Sequence, residues 1–127
     1  MDPLAHTLIG ASLAETRLGR CTPLAVPALL IGVNLPDLDA IAMLIDGDLA
    51  LGVRRGWTHG VLAMLVLPAS LALALMLADR GLRKRRPGNT PASLARIVLL
   101  AYLAVWTHPL LDWLNTYGIR LLMPFDG

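Results

Sequence analysis

The stretch "WTHPLLDWLNTYG", residues 106–118, places His108 and Asp112 four positions apart in an otherwise apolar run. On a helix that spacing puts both side chains on one face, one turn apart, within reach of a shared ion. Imidazole and carboxylate together suit zinc and other divalent first-row metals. Further donors of the same kinds are His6 near the amino terminus, Asp37 and Asp39 in "NLPDLDA", and His59 in "RRGWTHG". A divalent ion held there would lower the pKa of a bound water. A spare carboxylate, Asp37 or Asp39, could then act as general base, and Arg55 stands four residues before His59.

Each of these residues also has a simpler reading. His6 could be an interfacial histidine, and Arg55 an interfacial arginine. Asp39, and less readily Asp37, could cap a helix that starts near Ala40. His59 could donate to a backbone carbonyl at a helix entry, and His108 with Asp112 could be a structural hydrogen-bonded pair. A lone member would decide little, so the weight falls on whether the elements bring them together.

The elements follow from hydropathy. The chain has 127 residues, of which 56% are hydrophobic and 16% charged, with a mean hydropathy of +0.63. A soluble domain carries about 25% charged residues, so the expected solvent is the bilayer and the expected organisation one membrane-embedded domain over residues 1–127. Four apolar segments stand out: about Pro3 to Leu18, Pro23 to Leu35, Thr58 to Ala78, and Pro91 to Leu114. The fold class expected is all-α, a multi-pass bundle of about four apolar helices. The third segment is long enough to span and the fourth nearly so. The first two are short for a hydrocarbon core of about 30 Å, and the alternative is that they pack at the interface against two spanning helices. Pro109 is expected to kink the fourth segment or to start a new one.

If all four segments cross, they alternate in direction. His6, Asp37, Asp39, His59, His108 and Asp112 then fall at one end of the bundle, and these include all three histidines of the chain. Ionisable groups at membrane depth are costly and usually pair or mark function. Arg17, Arg20, Arg80, Arg83, Lys84, Arg85, Arg86 and Arg96 fall at the other end, against Arg54, Arg55 and Arg120 on the cluster side. Eight against three places the basic end in the cytoplasm, with "RGLRKRR" read as a solvated loop at the headgroups. Trp57, Trp106 and Trp113 read as an interfacial aromatic belt, and Asp46 and Asp48 as turn residues. One cysteine, Cys21, excludes an internal disulfide. No basic region precedes the first apolar run, so a cleavable signal peptide is not expected. The single basic run lacks interleaved aromatics, which argues against nucleic acid as a partner.

The ordered set "MDPLAHTLIGA", "NLPDLDAI", "RRGWTHG" and "THPLLDWLNTYGIRLLMPF" resembles the YdjM-like family of bacterial inner-membrane proteins, described as metal-dependent hydrolases. The resemblance covers nearly the whole chain. It implies a multi-pass helical protein of the inner membrane and a metal site with zinc as the first choice. Its relation to zinc-dependent phospholipases C and zinc nucleases implies hydrolysis of a small-molecule or lipid phosphoester, with membrane lipids as neighbours. On that implication the ion would polarise a phosphoryl oxygen and Arg55 could hold the phosphate. Carried over by position, the ligands are His6, Asp37, Asp39, His59, His108 and Asp112, while Gly56 and Thr58 of the same motif read as structural. Two departures stand out. Arg54 and Gly60 replace a histidine and a serine of the usual His-Arg-Gly-x-Thr-His-Ser, so one ligand is missing. Members usually continue past "MPFDG" into another apolar segment, which leaves open a short member, a truncated frame or an inactive form. The rival expectation is a non-catalytic membrane protein whose polar cluster staples the helices, with or without metal.

Overall fold

The computed structural model describes residues 3–37, 60–85, 88 and 90–114. Among these residues every regular element is helical. Helix α1 runs over Pro3–Glu15, a single 3-10 helix over Arg17–Arg20, α2 over Ala25–Gly32, α3 over Val61–Arg85 and α4 over Leu94–Trp113. A 3-10 turn at 35–37 follows α2. The Thr16 hydroxyl ends α1 by accepting from the Leu18 N–H at 3.2 Å, which caps the first 3-10 helix as threonine commonly does.

Two of these helices, α3 and α4, are long and apolar enough to cross a membrane. Their leucines point outward as well as inward. Leu62, Leu65, Leu73 and Leu77 of α3 are exposed, as are Leu99, Leu103 and Leu110 of α4. A core helix of a water-soluble protein hides its apolar residues. A helix that is apolar all round and still exposed fits a lipid environment.

The segment boundaries depart from expectation in three places. The third segment does not end at Ala78: α3 continues to Arg85, so residues 80–85 of the basic run are the last turns of a helix and not a loop. Arginine, lysine and leucine are good helix formers, and positive charge is favourable at a helix C-terminus. An i,i+4 pair adds to this, with Arg83 Nε donating to Asp79 Oδ2 at 2.9 Å. The fourth segment starts at Leu94, after an extended Pro91–Ser93 lead. Pro109 does not open a new helix there; it lies inside α4. Pro68 likewise sits inside α3. The Tyr102 hydroxyl of α4 donates to the Leu65 carbonyl, in the turn before Pro68, at 2.9 Å.

The packing order is α3, α4, α2, α1, with α4 central. The apolar core joins Ala28, Leu29 and Val33 of α2 to Leu71 and Leu75 of α3 and to Ile97, Leu100 and Ala104 of α4. Helix contacts rest on small residues, as is usual where lipid competes for apolar surface. A Cβ on Gly32 would lie 2.6 Å from the Ala104 Cβ, and one on Gly10 would lie 2.7 Å from Val33 Cγ2. Both glycines therefore set how closely neighbouring helices approach.

One end of the bundle is fastened by polar contacts. Asp79, 4% exposed, accepts from the Ala92 N–H at 3.3 Å as well as from Arg83. The Ser93 N–H donates to Thr22 Oγ1 at 2.9 Å, and Arg96 donates to the Cys21 carbonyl. The connections α1–α2 and α3–α4 thus meet at the same level.

Candidate metal centre

The other end carries His6 and His108. His6 projects from the first turns of α1, His108 and Asp112 from the last turns of α4, and Asp37 from the 3-10 turn after α2. Antiparallel packing of short-looped helices brings these four together although they are up to a hundred residues apart. His6 and His108 are fully buried, and Asp112 is 2% exposed.

The His108 ring is oriented by the backbone. Its Nδ1 lies 2.5 Å from the Val33 carbonyl. A carbonyl only accepts, so that contact assigns the proton to Nδ1 and leaves the lone pair on Nε2. That Nε2 lies 3.4 Å from Asp37 Oδ1 and 3.5 Å from Asp112 Oδ2. The second Asp112 oxygen, Oδ1, lies 3.4 Å from His6 Nε2. The two imidazoles stack, with centroids 3.8 Å apart and planes 19° from parallel. Asp112 therefore offers one oxygen to each ring.

The spacing discriminates between two kinds of polar cluster. Hydrogen bonds between nitrogen and oxygen fall at about 2.7–3.2 Å. Donors at the corners of a tetrahedron with bonds of about 2.0–2.1 Å to its centre are about 3.3–3.4 Å apart. The observed 3.4, 3.4 and 3.5 Å separations exceed hydrogen-bond length and lie near ligand–ligand spacing, with the two Asp112 contacts made by different oxygens. One ligand atom from each of His6, His108 and Asp112 lies within 4.8 Å of the others. Both ring nitrogens of His6 are buried with no hydrogen-bond partner among the described residues. An unsatisfied buried polar atom costs about 1–3 kcal/mol, and an ion in the cluster would remove that cost for one of the two nitrogens. His6, His108 and Asp112 thus form a buried group that can hold a metal ion, and its chemistry, two imidazoles and a carboxylate, suits a divalent one.

Of the residues expected at the site, the structure brings together His6, Asp37, His108 and Asp112. Asp39, His59 and Arg55 lie outside the described residues, as do Arg54, Trp57, Asp46 and Asp48. Trp113 is 71% exposed on the last turn of α4, which fits an outward interfacial role. Sequence reasoning missed two supporting groups. One is the Val33 carbonyl that orients His108. The other is Asn34, whose side-chain amide donates to Thr7 Oγ1 at 3.1 Å and to the Leu30 carbonyl at 2.9 Å. Thr7 is next to His6, and the Asp37 N–H bonds to the Asn34 carbonyl at 3.1 Å. Asn34 therefore ties the strand of chain that carries Asp37 to the helix that carries His6. Its place three residues before Asp37 was the available signal.

The profile of the YdjM inner membrane protein family matches residues 1–127. The chain belongs to that family. It is also similar to a Bacillus subtilis protein named "Uncharacterized protein YfhP", with 29% identity over 103 residues, 78% of this chain and 27% of the relative. The chain thus spans about a quarter of that relative's length. No solved structure matches. Membership of an inner-membrane family agrees with the two apolar helices, α3 and α4, and the expected resemblance is borne out over the full match.

Proposed function

We propose that this YdjM-family chain is a multi-pass inner-membrane hydrolase that holds a divalent ion, zinc as first choice, and cleaves a phosphoester at the membrane surface. The observation that carries the reading is the buried His6–His108–Asp112 group, whose donor spacing suits an ion and whose His6 lacks any hydrogen-bond partner among the described residues. When bound, such an ion supplies a Lewis acid able to polarise a phosphoryl oxygen. Asp112 contacts both imidazoles and is buried, so it serves as a ligand. The Asp37 side chain is 22% exposed at the edge of the cluster, 3.4 Å from His108 Nε2. That position suits a general base that takes a proton from attacking water and passes it outward. Asp39 and His59 complete the ligand set in this reading, and Arg55 holds the phosphate.

Topology supports a site at the headgroup level. Helix α4, with 20 residues, is about 30 Å long, close to the thickness of a hydrocarbon core. The α1–α2 connection is fastened to its start through Thr22 and Arg96, while His6 and Asp37 meet its end. The α1 and α2 segments, though shorter, therefore run between two levels near the ends of α4, which supports four crossings over two. Arg17, Arg20, Arg80, Arg83, Lys84, Arg85 and Arg96 lie toward the fastened end, and by the positive-inside rule this supports a cytoplasmic fastened end with the metal centre on the outer side.

A second reading has its own support. The three principal donors are almost wholly buried, as in a structural metal site. A non-catalytic protein with a metal or polar staple would look the same at these residues. Elemental analysis of detergent-purified protein tests the metal. Hydrolysis of phospholipid and lipid-phosphate substrates in zinc-loaded bilayers, by wild type and by Arg54→His, tests the reaction. Bound zinc with no chelator-sensitive turnover in either protein would leave the structural reading; no zinc at all would end both metal readings.

A further inference from the structure

A second site lies at the opposite end, between α3 and α4. A groove of about 320 Å³ separates the two helices on the side away from α2, at the lower end of the volumes of ligand pockets. Leu73, Met76 and Leu77 line it from α3, and Leu94 and Val98 line it from α4. Leu73, Leu77 and Leu94 are more than half exposed, so the groove opens on the outer surface of the bundle.

The two ends of the groove differ in chemistry. Arg80 lines the basic end. Tyr102 lines the inner end, where its hydroxyl bridges to the Leu65 carbonyl of α3 at 2.9 Å and joins the helices. From Ala69 to Arg80 the lining runs eleven residues along α3, about 17 Å at helical rise. That is close to half of a hydrocarbon core of about 30 Å, one leaflet. The groove therefore starts at headgroup level beside a guanidinium and stops near the midplane. A guanidinium is the group best suited to bind phosphate in two-pronged fashion.

We propose that the α3–α4 groove is a phospholipid site: one acyl chain lies along Leu73, Met76, Leu77, Leu94 and Val98, and the anionic headgroup phosphate pairs with Arg80. The surrounding basic residues Arg83, Lys84 and Arg85 favour an anionic lipid over a zwitterionic one. The site rests on α3 and α4 crossing the membrane and is independent of the metal centre, which lies at the other end of the same helices.

The test uses the full chain in bilayer discs of phosphatidylcholine doped with phosphatidylglycerol that carries a photoreactive group on its acyl chain. Labelled peptides are mapped by mass spectrometry, and phosphatidylglycerol retained after transfer to detergent is counted on the intact protein. Labelling is expected to concentrate on the groove residues of α3 and α4. Ala69→Phe, a substitution at an exposed position, should plug the groove and remove that labelling, with zinc content and unfolding unchanged. Leu73→Trp, also at an exposed position, should do the same. Arg80→Gln should lower retained phosphatidylglycerol about fivefold, the factor one basic residue carries toward anionic lipid. Lys84→Gln, outside the groove, should stay within about twofold in detergent, where an exposed charge has no bilayer surface to act on. The proposal is overturned by labelling spread evenly over the outward faces of α3 and α4, or by labelling that survives both plugs. It is equally overturned by equal losses in Arg80→Gln and Lys84→Gln, or by cross-links that place residues 115–127 or a second copy of the chain in the groove.

Discussion

Replacing His6 with phenylalanine separates a metal centre from a polar staple by the sign of the change. His6 is fully buried, stacked on His108 at 3.8 Å, and neither of its nitrogens has a hydrogen-bond partner among the described residues. In a staple without metal, those two atoms are a burden, each costing about 1–3 kcal/mol. Phenylalanine keeps an aromatic ring over His108 and removes both. Metal-free His6→Phe should then gain about 2–6 kcal/mol over metal-free wild type from the two atoms and lose about 1–3 kcal/mol to packing the slightly larger ring, a net gain of about 2 kcal/mol at the midpoints. With zinc at a thousand times its dissociation constant, wild type should gain about 4 kcal/mol. His6→Phe, with one donor lost, should gain almost nothing. The order of stability therefore reverses between chelator and zinc. The assay is chemical unfolding of both proteins in one detergent, with and without zinc, alongside elemental analysis. His6→Leu, in which no ring can overpack, repeats the comparison. If zinc leaves wild-type stability unchanged, or if His6→Phe retains wild-type zinc content, His6 is not a ligand and the donor-spacing argument fails.

Four further outcomes can be measured. Asp112→Asn keeps the size of the side chain but removes the charge shared between the two imidazoles; zinc affinity measured by competition with a chelator should fall by at least the roughly 10–100-fold that even an outer-shell partner carries, while unfolding in chelator changes little. Gly32→Val forces a Cβ to within 2.6 Å of the Ala104 Cβ; it should destabilise by about 1–3 kcal/mol or more, and Ala104→Gly in the same chain should recover part of the loss. A single reactive cysteine at position 84, in a chain with Cys21 replaced, should resist impermeant labelling from outside the cell; labelling there would reverse the orientation without separating the histidines. Zinc affinity of the wild type should weaken as pH falls through the imidazole range, because a ligand nitrogen must be deprotonated to bind; affinity independent of pH would remove the histidines from the ligand set.

Much of the molecule was legible in the order of its residues. Bilayer-length apolar runs at 61–78 and 94–113 are local properties, and lipid demands that such runs satisfy their backbone groups internally as helices. The spacing of His108 and Asp112 fixes them on one helical face whatever surrounds it. The alternation of four segments was enough to send His6, Asp37, His108 and Asp112 to one end. Other features needed the tertiary fold. The run at 80–85 read as a loop because its charge was weighed against membrane burial, while its helix propensity, the Asp79–Arg83 pair and the docking of Asp79 on the Ala92 N–H carry α3 through it. Pro109 read as a kink or a new start, and α4 continues through it without a new start. The stacking of His6 on His108, the Val33 carbonyl that assigns the His108 proton, and the division of the two Asp112 oxygens between two rings depend on how closely α1, α2 and α4 approach. That approach is set by Gly10 and Gly32 meeting Val33 and Ala104, contacts between residues far apart in the chain that no local pattern records. Sequence determined which donors share an end of the bundle; packing decided which of their atoms stand at the spacing of an ion's ligands.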